Sequence, residues 1–323
     1  MTLFDSDDDL SVRSSVRARN PAHARPLCES DVTRALCAIP TARVDLGHSK
    51  VAYYRFGSGP DLVFVHGWPL HAATFRKIVP ELASSFTCHL IDLPGAGQTR
   101  CEAPEAIELT RHAETVRKVV DHLGLRRYAL LAHDSGGVPA RMLAADDPRV
   151  TALVLGNTEI PGHRPWLIEL FALIAKWPFA RGLIMRTLEL RMLRRSPLAF
   201  GNLFYDRSHI DGDFHELFVA PLLASQRVAD QTWRLMQQLD YEAIDRLAEL
   251  HARIQVPTQL IWGAGDPFFP IAKARAMREQ FAGRVEWHEI EQAKLLVHEE
   301  QAAQFAALAR PFLSTAAARS PAT

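Results

Sequence analysis

Residues 126–137 read RRYALLAHDSGG and combine a short apolar run with a glycine-rich turn. The run 128–132 lies between charged residues and glycines, which is typical of a buried parallel strand. The letters AHDSG at its end have the small-x-nucleophile-x-small spacing of a nucleophile elbow, a strained turn that tolerates only small neighbours. This spacing assigns the nucleophile's position to Asp134. With Ser135 in that position, the bulkier His133 would have to occupy a flanking small site.

Two interpretations of Asp134 fit this turn. A helix starting near Gly136 would point its positive end at Asp134, which would keep the carboxylate ionised and able to attack carbon. Alternatively, Asp134 is only the N-cap of that helix, because aspartate is common just before a helix start. The turn by itself supports both interpretations equally.

The composition limits the class of partner. The chain has 323 residues, enough for one large α/β domain with an insertion, and its 48% hydrophobic content is that of a globular protein. Lysine plus arginine and aspartate plus glutamate number 37 each, so the overall charge favours neither nucleic acid nor an anionic membrane. The four cysteines lack metal-ligand spacing, and no signal peptide is evident. We therefore expect a cytoplasmic protein without metal or cofactor that binds a small, largely apolar molecule.

The two ends of the chain lack the pattern of a packed domain. Residues 1–40 are predicted to be an N-terminal extension, in which 1–26 carry an acidic and then a basic run and are expected to be disordered. Asp31 could cap a short helix through Cys37 that packs on the main domain as an arm. Residues 315–323 are predicted to be a frayed tail.

Between these ends, strands and helices alternate. The pattern predicts a helix at 112–123 and buried strands at 62–65, 86–91, 150–155 and 259–262. Repeated βα units favour a mostly parallel, doubly wound sheet. In such sheets, functional residues gather at the carboxyl ends of the strands.

Four motifs fall at those strand ends. They are HGWP at 66–69, DLPGAGQT at 92–99, AHDSGG at 132–137 and WGAGDPFFP at 262–270. In this order and spacing they resemble the α/β-hydrolase family over residues 41–314. The resemblance implies an α/β-hydrolase fold with a core of 41–160 and 241–314 and an inserted helical cap of 161–240. The aspartate elbow together with HGWP looks most like the branch of epoxide hydrolases and haloalkane dehalogenases, whose nucleophile is a carboxylate.

The resemblance also implies roles for individual residues. The backbone N–H groups of Trp68 and Ser135 would stabilise the oxyanion of a tetrahedral intermediate, and Asp266 would orient the catalytic histidine. In this chemistry Asp134 attacks an sp3 carbon to give an alkyl ester, and a water activated by the histidine hydrolyses that ester.

The catalytic histidine is missing from its expected place. The segment EQAKLLVHEE resembles a family stretch in which glycine and histidine stand where Lys294 and Leu295 stand here. Leu295 cannot accept a proton, so the hydrolytic half of the reaction lacks its base. His298 lies three residues on and reaches the same face only if the segment is helical, because residues three apart are neighbours on a helix. His298 is therefore either a substitute base or a structural histidine.

The cap is expected to supply a proton donor and the walls of the site. Tyr205 is the best candidate in 161–240 for a phenol that protonates an opening epoxide, and Tyr241, just past the cap, is a weaker one. Residues 166–185 are strongly apolar, but charged residues and a proline interrupt them. We therefore interpret them as cap core or tunnel lining rather than as a transmembrane span.

The residue after the nucleophile separates two substrate classes. Dehalogenases of this branch usually have a halide-binding tryptophan where this chain has Ser135, so an epoxide is favoured over a haloalkane. Asn157 could donate a hydrogen bond near Asp134, although a turn is the commoner reason for an asparagine there. We expect an epoxide hydrolase-like enzyme that could form a homodimer. The alternatives are a haloalkane dehalogenase-like enzyme, a non-hydrolytic isomerase or cyclase, and a ligand-binding relative without turnover.

Overall fold

The computed structural model describes residues 26–177 and 179–319, so the leader predicted for 1–26 lies almost wholly outside the described residues. The strands are β1 Ala42–Asp45, β2 Ser49–Gly57, β3 Asp61–Val65, β4 Thr87–Ile91, β5 Arg100–Cys101, β6 Tyr128–Ala132, β7 Val150–Gly156, β8 Thr258–Gly263 and β9 Val285–Ile290. The helices are α1 Glu29–Cys37, α2 Val79–Leu82, α3 Arg111–His122, α4 Gly137–Asp146, α5 Trp166–Ile174, α6 Ala180–Glu189, α7 Arg191–Arg194, α8 Ala220–Ala224, α9 Gln226–Gln237, α10 Tyr241–Asp245, α11 Leu247–His251, α12 Ile271–Met277, α13 Val297–Glu300 and α14 Ala302–Ala318. Among these helices, none combines the length and apolarity needed to cross a bilayer.

All the strands belong to one sheet. Its order is β1-β2-β4-β3-β6-β7-β8-β9, and β5 pairs with β2 outside this path. The pairs from β4 through β3, β6, β7 and β8 to β9 are parallel. Strands β1, β4 and β5 run antiparallel to β2. The prediction of a mostly parallel α/β sheet is therefore confirmed.

The sheet centre is built from the apolar runs seen in the sequence. β6 pairs with β3 on one edge and with β7 on the other, and all five of its residues are buried. Because both edges are paired and both faces are covered, every position of β6 has to be apolar. The turn that follows β6 is thus fixed at the middle of the sheet, at the carboxyl ends of its parallel strands.

The chain between β7 and β8 forms the insertion over these strand ends, with helices α5 to α11. The insertion contacts the core through specific side chains. His71 of the core packs on Phe218 at a ring-centroid distance of 4.7 Å, and the Trp68 indole N–H donates to the Thr232 carbonyl at 2.8 Å. These contacts hold the helical layer above the end of β6.

Helix α1 of the N-terminal extension packs on the core. Val32 and Leu36 of α1 are buried, and Glu29 lies 3.5 Å from the buried guanidinium of Arg76. The helix starts earlier than predicted: its N-cap is Cys28, and Asp31 occupies the third helical position. At the other end of the chain, α14 continues to Ala318, past the predicted start of the tail at 315.

Candidate active site

Asp134 sits on the strained turn that its spacing predicted. Its φ of 51° lies in the left-handed region, and the turn 134–136 joins β6 to α4. A Cβ at Gly67 would overlap the Asp134 side chain, and a Cβ at Gly136 would overlap the backbone carbonyl of His66. Only residues without a side chain fit at these two positions. The small neighbours in the sequence therefore make room for a carboxylate at the end of β6.

Burial controls the charge of Asp134. Desolvation raises its pKa well above the ordinary value, and the nearby Glu159 carboxylate raises it further. Hydrogen bonds from the backbone N–H groups of Ser135 and Trp68 act in the opposite direction and lower the pKa. Desolvation therefore opposes the ionisation of Asp134, while the backbone donors favour it.

Trp68 is hydrogen-bonded both to the helical insertion and to the elbow. Its backbone N–H donates to the Ser135 hydroxyl at 2.9 Å, and its indole N–H donates to Thr232. Both N–H groups of Trp68 therefore have partners within the protein. Ser135 presents its backbone N–H to Asp134, as the backbone hydrogen bond that lowers the Asp134 pKa indicates.

Asp266 is held by Asn157 rather than by a histidine. The Asn157 side-chain amide donates to Asp266 Oδ2 at 2.7 Å, and the Phe268 backbone N–H donates to Asp266 Oδ1 at 2.8 Å. Burial nevertheless raises the pKa of Asp266 to about 7. The Asn157 side chain is directed at Asp266 and not at Asp134. Its backbone carbonyl is the group that accepts a hydrogen bond from the Asp134 N–H, at 2.8 Å.

Leu295 lies in the wall of the same cavity as Asp134. Its backbone carbonyl accepts a hydrogen bond of 2.8 Å from His133 Nε2, which fixes this loop against the elbow. The Gly265 N–H donates to the Ala293 carbonyl at 2.9 Å, which joins the Asp266 loop to the Leu295 loop. The position at which the resemblance implies a histidine thus presents an apolar side chain to the site.

His298 is placed away from the cavity. Its ring is fully buried, its Nε2 lies 2.7 Å from Thr74 Oγ1, and its ring packs on His133 at a centroid distance of 4.2 Å. Burial lowers the pKa of His298 well below the ordinary value. The geometry argues against a role as substitute base, because the His298 ring packs on His133, lies beside Thr74 and is not part of the cavity wall.

The structure places Tyr241, rather than Tyr205, in the cavity wall. Tyr205 is 56% exposed and is not part of the cavity wall, so the proposed donor role has no geometric basis. Tyr241 lines the cavity, and within the described residues its buried hydroxyl has no hydrogen-bond partner. Burial raises the pKa of Tyr241 to about 12. The sequence gave no sign of which of the two tyrosines would line the cavity.

Glu159 is a site residue that the sequence analysis missed. It lines the cavity, its Oε2 lies 2.8 Å from the Thr158 hydroxyl, and burial raises its pKa. The buried guanidinium of Arg141 binds the Glu159 carbonyl at 3.1 Å and balances the charge of its carboxylate. Its position three residues past the end of β7 was the available signal, because such positions border the site in parallel sheets.

The cavity above Asp134 has a volume of about 890 Å³ and a largely apolar wall. This volume is at the upper end of the roughly 300–1,000 Å³ typical of ligand pockets. Its one histidine among the described residues is His163, whose ring nitrogens lie 2.8 Å from the Phe268 carbonyl and 2.9 Å from Lys273. Within 26–177 and 179–319, no group of three or more His, Cys, Asp or Glu side chains could hold a metal ion.

Residues 60–302 match the family described as alpha/beta hydrolase fold. The chain belongs to this family. Among its relatives in the family, haloalkane dehalogenase 2 of Mycobacterium tuberculosis H37Rv is 29% identical over 238 residues, which cover 70% of this chain and 78% of the relative. The soluble epoxide hydrolase of Corynebacterium sp. strain C12 is 34% identical over 114 residues, which cover 35% of this chain and 39% of that protein.

Solved structures confirm the alpha/beta hydrolase fold. The epoxide hydrolase CorEH superposes with a TM-score of 0.71 at 22% identity and covers 84% of this chain and 98% of its own. At this level of identity the likeness supports the fold alone. Together, the family match and the relatives define a hydrolase-like enzyme related to haloalkane dehalogenases and epoxide hydrolases.

Proposed function

We propose that the protein opens an epoxide, held in the apolar cavity, by attack of Asp134 on a ring carbon. The observation that carries the proposal is a carboxyl group on a strained turn in the wall of a large, mostly apolar cavity. The backbone N–H groups of Ser135 and Trp68 stabilise the carboxylate, and the Asp134 side chain is buried. This arrangement suits nucleophilic attack on an uncharged carbon.

The proposed step conserves its atoms and charge. An oxygen of Asp134 forms a bond to a ring carbon, the C–O bond of the ring breaks, and the ring oxygen keeps the electron pair. That oxygen takes a proton, which leaves a hydroxyalkyl ester on Asp134. We assign the donor to Tyr241, whose buried hydroxyl is unpartnered among the described residues of the cavity wall. Solvent then returns a proton to the phenolate.

The residues around Asp134 favour an epoxide over a haloalkane. A departing halide needs N–H donors, but the indole N–H of Trp68 already donates to Thr232 and Ser135 has no side-chain N–H. An epoxide needs one proton for its ring oxygen and no halide site. This argues for the epoxide even though the more extensive of the two relatives named above is a haloalkane dehalogenase.

Ester hydrolysis is expected to be slow in this chain. The second half-reaction needs a base to deprotonate water, and position 295 supplies a leucine while His298 faces Thr74. A second candidate function is therefore proton transfer without hydrolysis, such as isomerisation. The observation that favours it is that Asp134 and Glu159 lie together in the cavity wall, because two neighbouring carboxyl groups can give and take a proton.

Intact-mass spectrometry after incubation with styrene oxide or a long-chain terminal epoxide tests the proposal. Wild type should gain the mass of the epoxide, the added mass should map to Asp134, and it should persist. Asp134→Asn should show no gain, whereas the matched variant Asp266→Asn should still form the adduct. An isomer formed without any adduct would favour proton transfer, and the absence of both adduct and product would contradict both candidates.

A further inference from the structure

Exposed apolar side chains are concentrated on one part of the cap. Of the twelve large hydrophobic side chains that are exposed in the described residues, ten lie within 166–198. We call the exposed apolar residues of 166–198 the cap face. Eight of its members are between 59% and 88% exposed: Trp166, Leu173, Trp177, Phe179, Leu183, Leu190, Met192 and Leu198. Such a concentration of exposed apolar side chains in one segment indicates an interaction site, since soluble proteins keep exposed apolar patches small.

The cap face reverses the usual pattern of a surface helix. In α5 the exposed residues Trp166, Leu170 and Leu173 follow the spacing of one helix face, while Leu167 on another face is buried. The exposed side of α5 therefore carries three large apolar side chains beside Glu169. Packing within this chain leaves these side chains uncovered.

Basic residues are interspersed with the cap face. Residues 166–198 contain six lysines or arginines and two glutamates, a net charge of +4 in a chain whose overall charge is zero. Lys176 and Arg186 are exposed on this segment. Three arginines of the segment share the single carboxylate of Asp211. The neutral overall composition thus conceals a local excess of positive charge.

This combination of apolar and basic side chains favours an anionic bilayer as the binding partner of the cap face. Aromatic and aliphatic side chains mixed with lysine and arginine suit the interface of an anionic lipid bilayer, where the apolar groups enter the acyl boundary and the cations meet headgroup phosphates. A second copy of the chain suits it less well, because a two-fold dimer would set this basic face against itself.

The cavity opens through the cap face. Leu170, Trp177, Phe179 and Leu183 are exposed and also line the cavity that contains Asp134. We propose that the cap face docks on an anionic bilayer, and that the cavity receives a membrane-dissolved substrate with a long apolar chain. The docking is independent of the chemistry at Asp134, whereas the epoxide group on that substrate rests on the proposed function.

Co-sedimentation of the full chain with vesicles tests the docking. Wild type should bind phosphatidylcholine vesicles that contain phosphatidylglycerol, and added salt or omission of phosphatidylglycerol should weaken binding. Trp177→Ser/Phe179→Ser should lower the partition coefficient on the order of tenfold or more. Lys176→Glu/Arg186→Glu should abolish the preference for anionic vesicles. Ile39→Ser, at a side chain 89% exposed outside the cap, is the matched control and should bind like wild type.

Several outcomes would contradict docking without bearing on the reaction proposed at Asp134. These are no binding to anionic vesicles, equal binding by the Trp177→Ser/Phe179→Ser variant, or a dimer in light scattering that the same variant dissociates. Circular dichroism melts check that each variant is folded, and the charge variant keeps the test valid if the aromatic variant fails to fold. Asp134→Asn should bind vesicles like wild type, which separates failure of docking from failure of the proposed reaction.

Discussion

Replacing Leu295 by histidine should accelerate hydrolysis of the proposed Asp134 ester. Leu295 shares the cavity wall with Asp134, and its loop is hydrogen-bonded to the loop of Asp266 through the Gly265 N–H and the Ala293 carbonyl. An imidazole at 295 would therefore face the ester with the buried carboxyl of Asp266 nearby. General-base assistance is typically worth about 10²- to 10⁴-fold, and breakdown of the Asp134 ester should accelerate by that factor.

The acceleration should depend on pH through Asp266. Burial raises its pKa to about 7, and only the ionised carboxylate can orient the imidazole and stabilise its protonated form. The ionised fraction is about a tenth at pH 6 and about nine tenths at pH 8 for this pKa. Breakdown in Leu295→His should therefore be about tenfold faster at pH 8 than at pH 6.

The assay is single-turnover breakdown of a preformed Asp134 adduct, followed by intact mass. Leu295→Asn is the matched control, because asparagine has nearly the shape of leucine and cannot take up a proton at these pH values. Equal breakdown rates in wild type, Leu295→His and Leu295→Asn would refute the relay. Loss of breakdown in His298→Ala would instead identify His298 as the working base and contradict its placement in the core.

Three further predictions follow from the site. Because burial raises the pKa of Asp266 from 3.8 to about 7, the folded protein holds a proton that the unfolded chain releases, and stability is lost as pH rises through 7. The free energy of unfolding of wild type, measured in urea, should fall by up to roughly 4 kcal/mol relative to that of Asp266→Asn between pH 4 and pH 8. A pH-independent difference would contradict this. Gly67→Ala should slow adduct formation about 100-fold, because its added Cβ would displace the Asp134 carboxylate, whereas Gly182→Ala, with open space around it, should not. Equal rates would show that the overlap with Asp134 is relieved by a shift elsewhere. Tyr241→Phe should slow epoxide opening about 10²- to 10⁴-fold but leave attack on a bromoalkane unchanged, since bromide leaves without a proton; parallel losses would argue against a donor role.

Local sequence patterns were sufficient for the fold and for placing Asp134 on the strained turn after β6. The run 128–132 is buried along its whole length, and the glycines around Asp134 occupy places where a Cβ would overlap neighbouring atoms. The sequence also showed that position 295 carries a leucine, which cannot act as a base, because its loop lies between recognisable motifs. The predicted oxyanion roles of Trp68 and Ser135 remain predictions.

The wrong assignments involve residues whose neighbours come from distant parts of the chain. Whether His298 faces the cavity or Thr74 depends on the direction in which α13 leaves the Leu295 loop. Glu159 raises the pKa of Asp134, and Asn157 donates a hydrogen bond to Asp266. In both cases the sheet brings distant loops together. Alternating apolar residues and turn motifs reflect the conformation of adjacent residues, and they therefore predict the strands and the elbow. Desolvation and contacts across the sheet depend on the packed arrangement of the whole chain, which only the tertiary structure supplies.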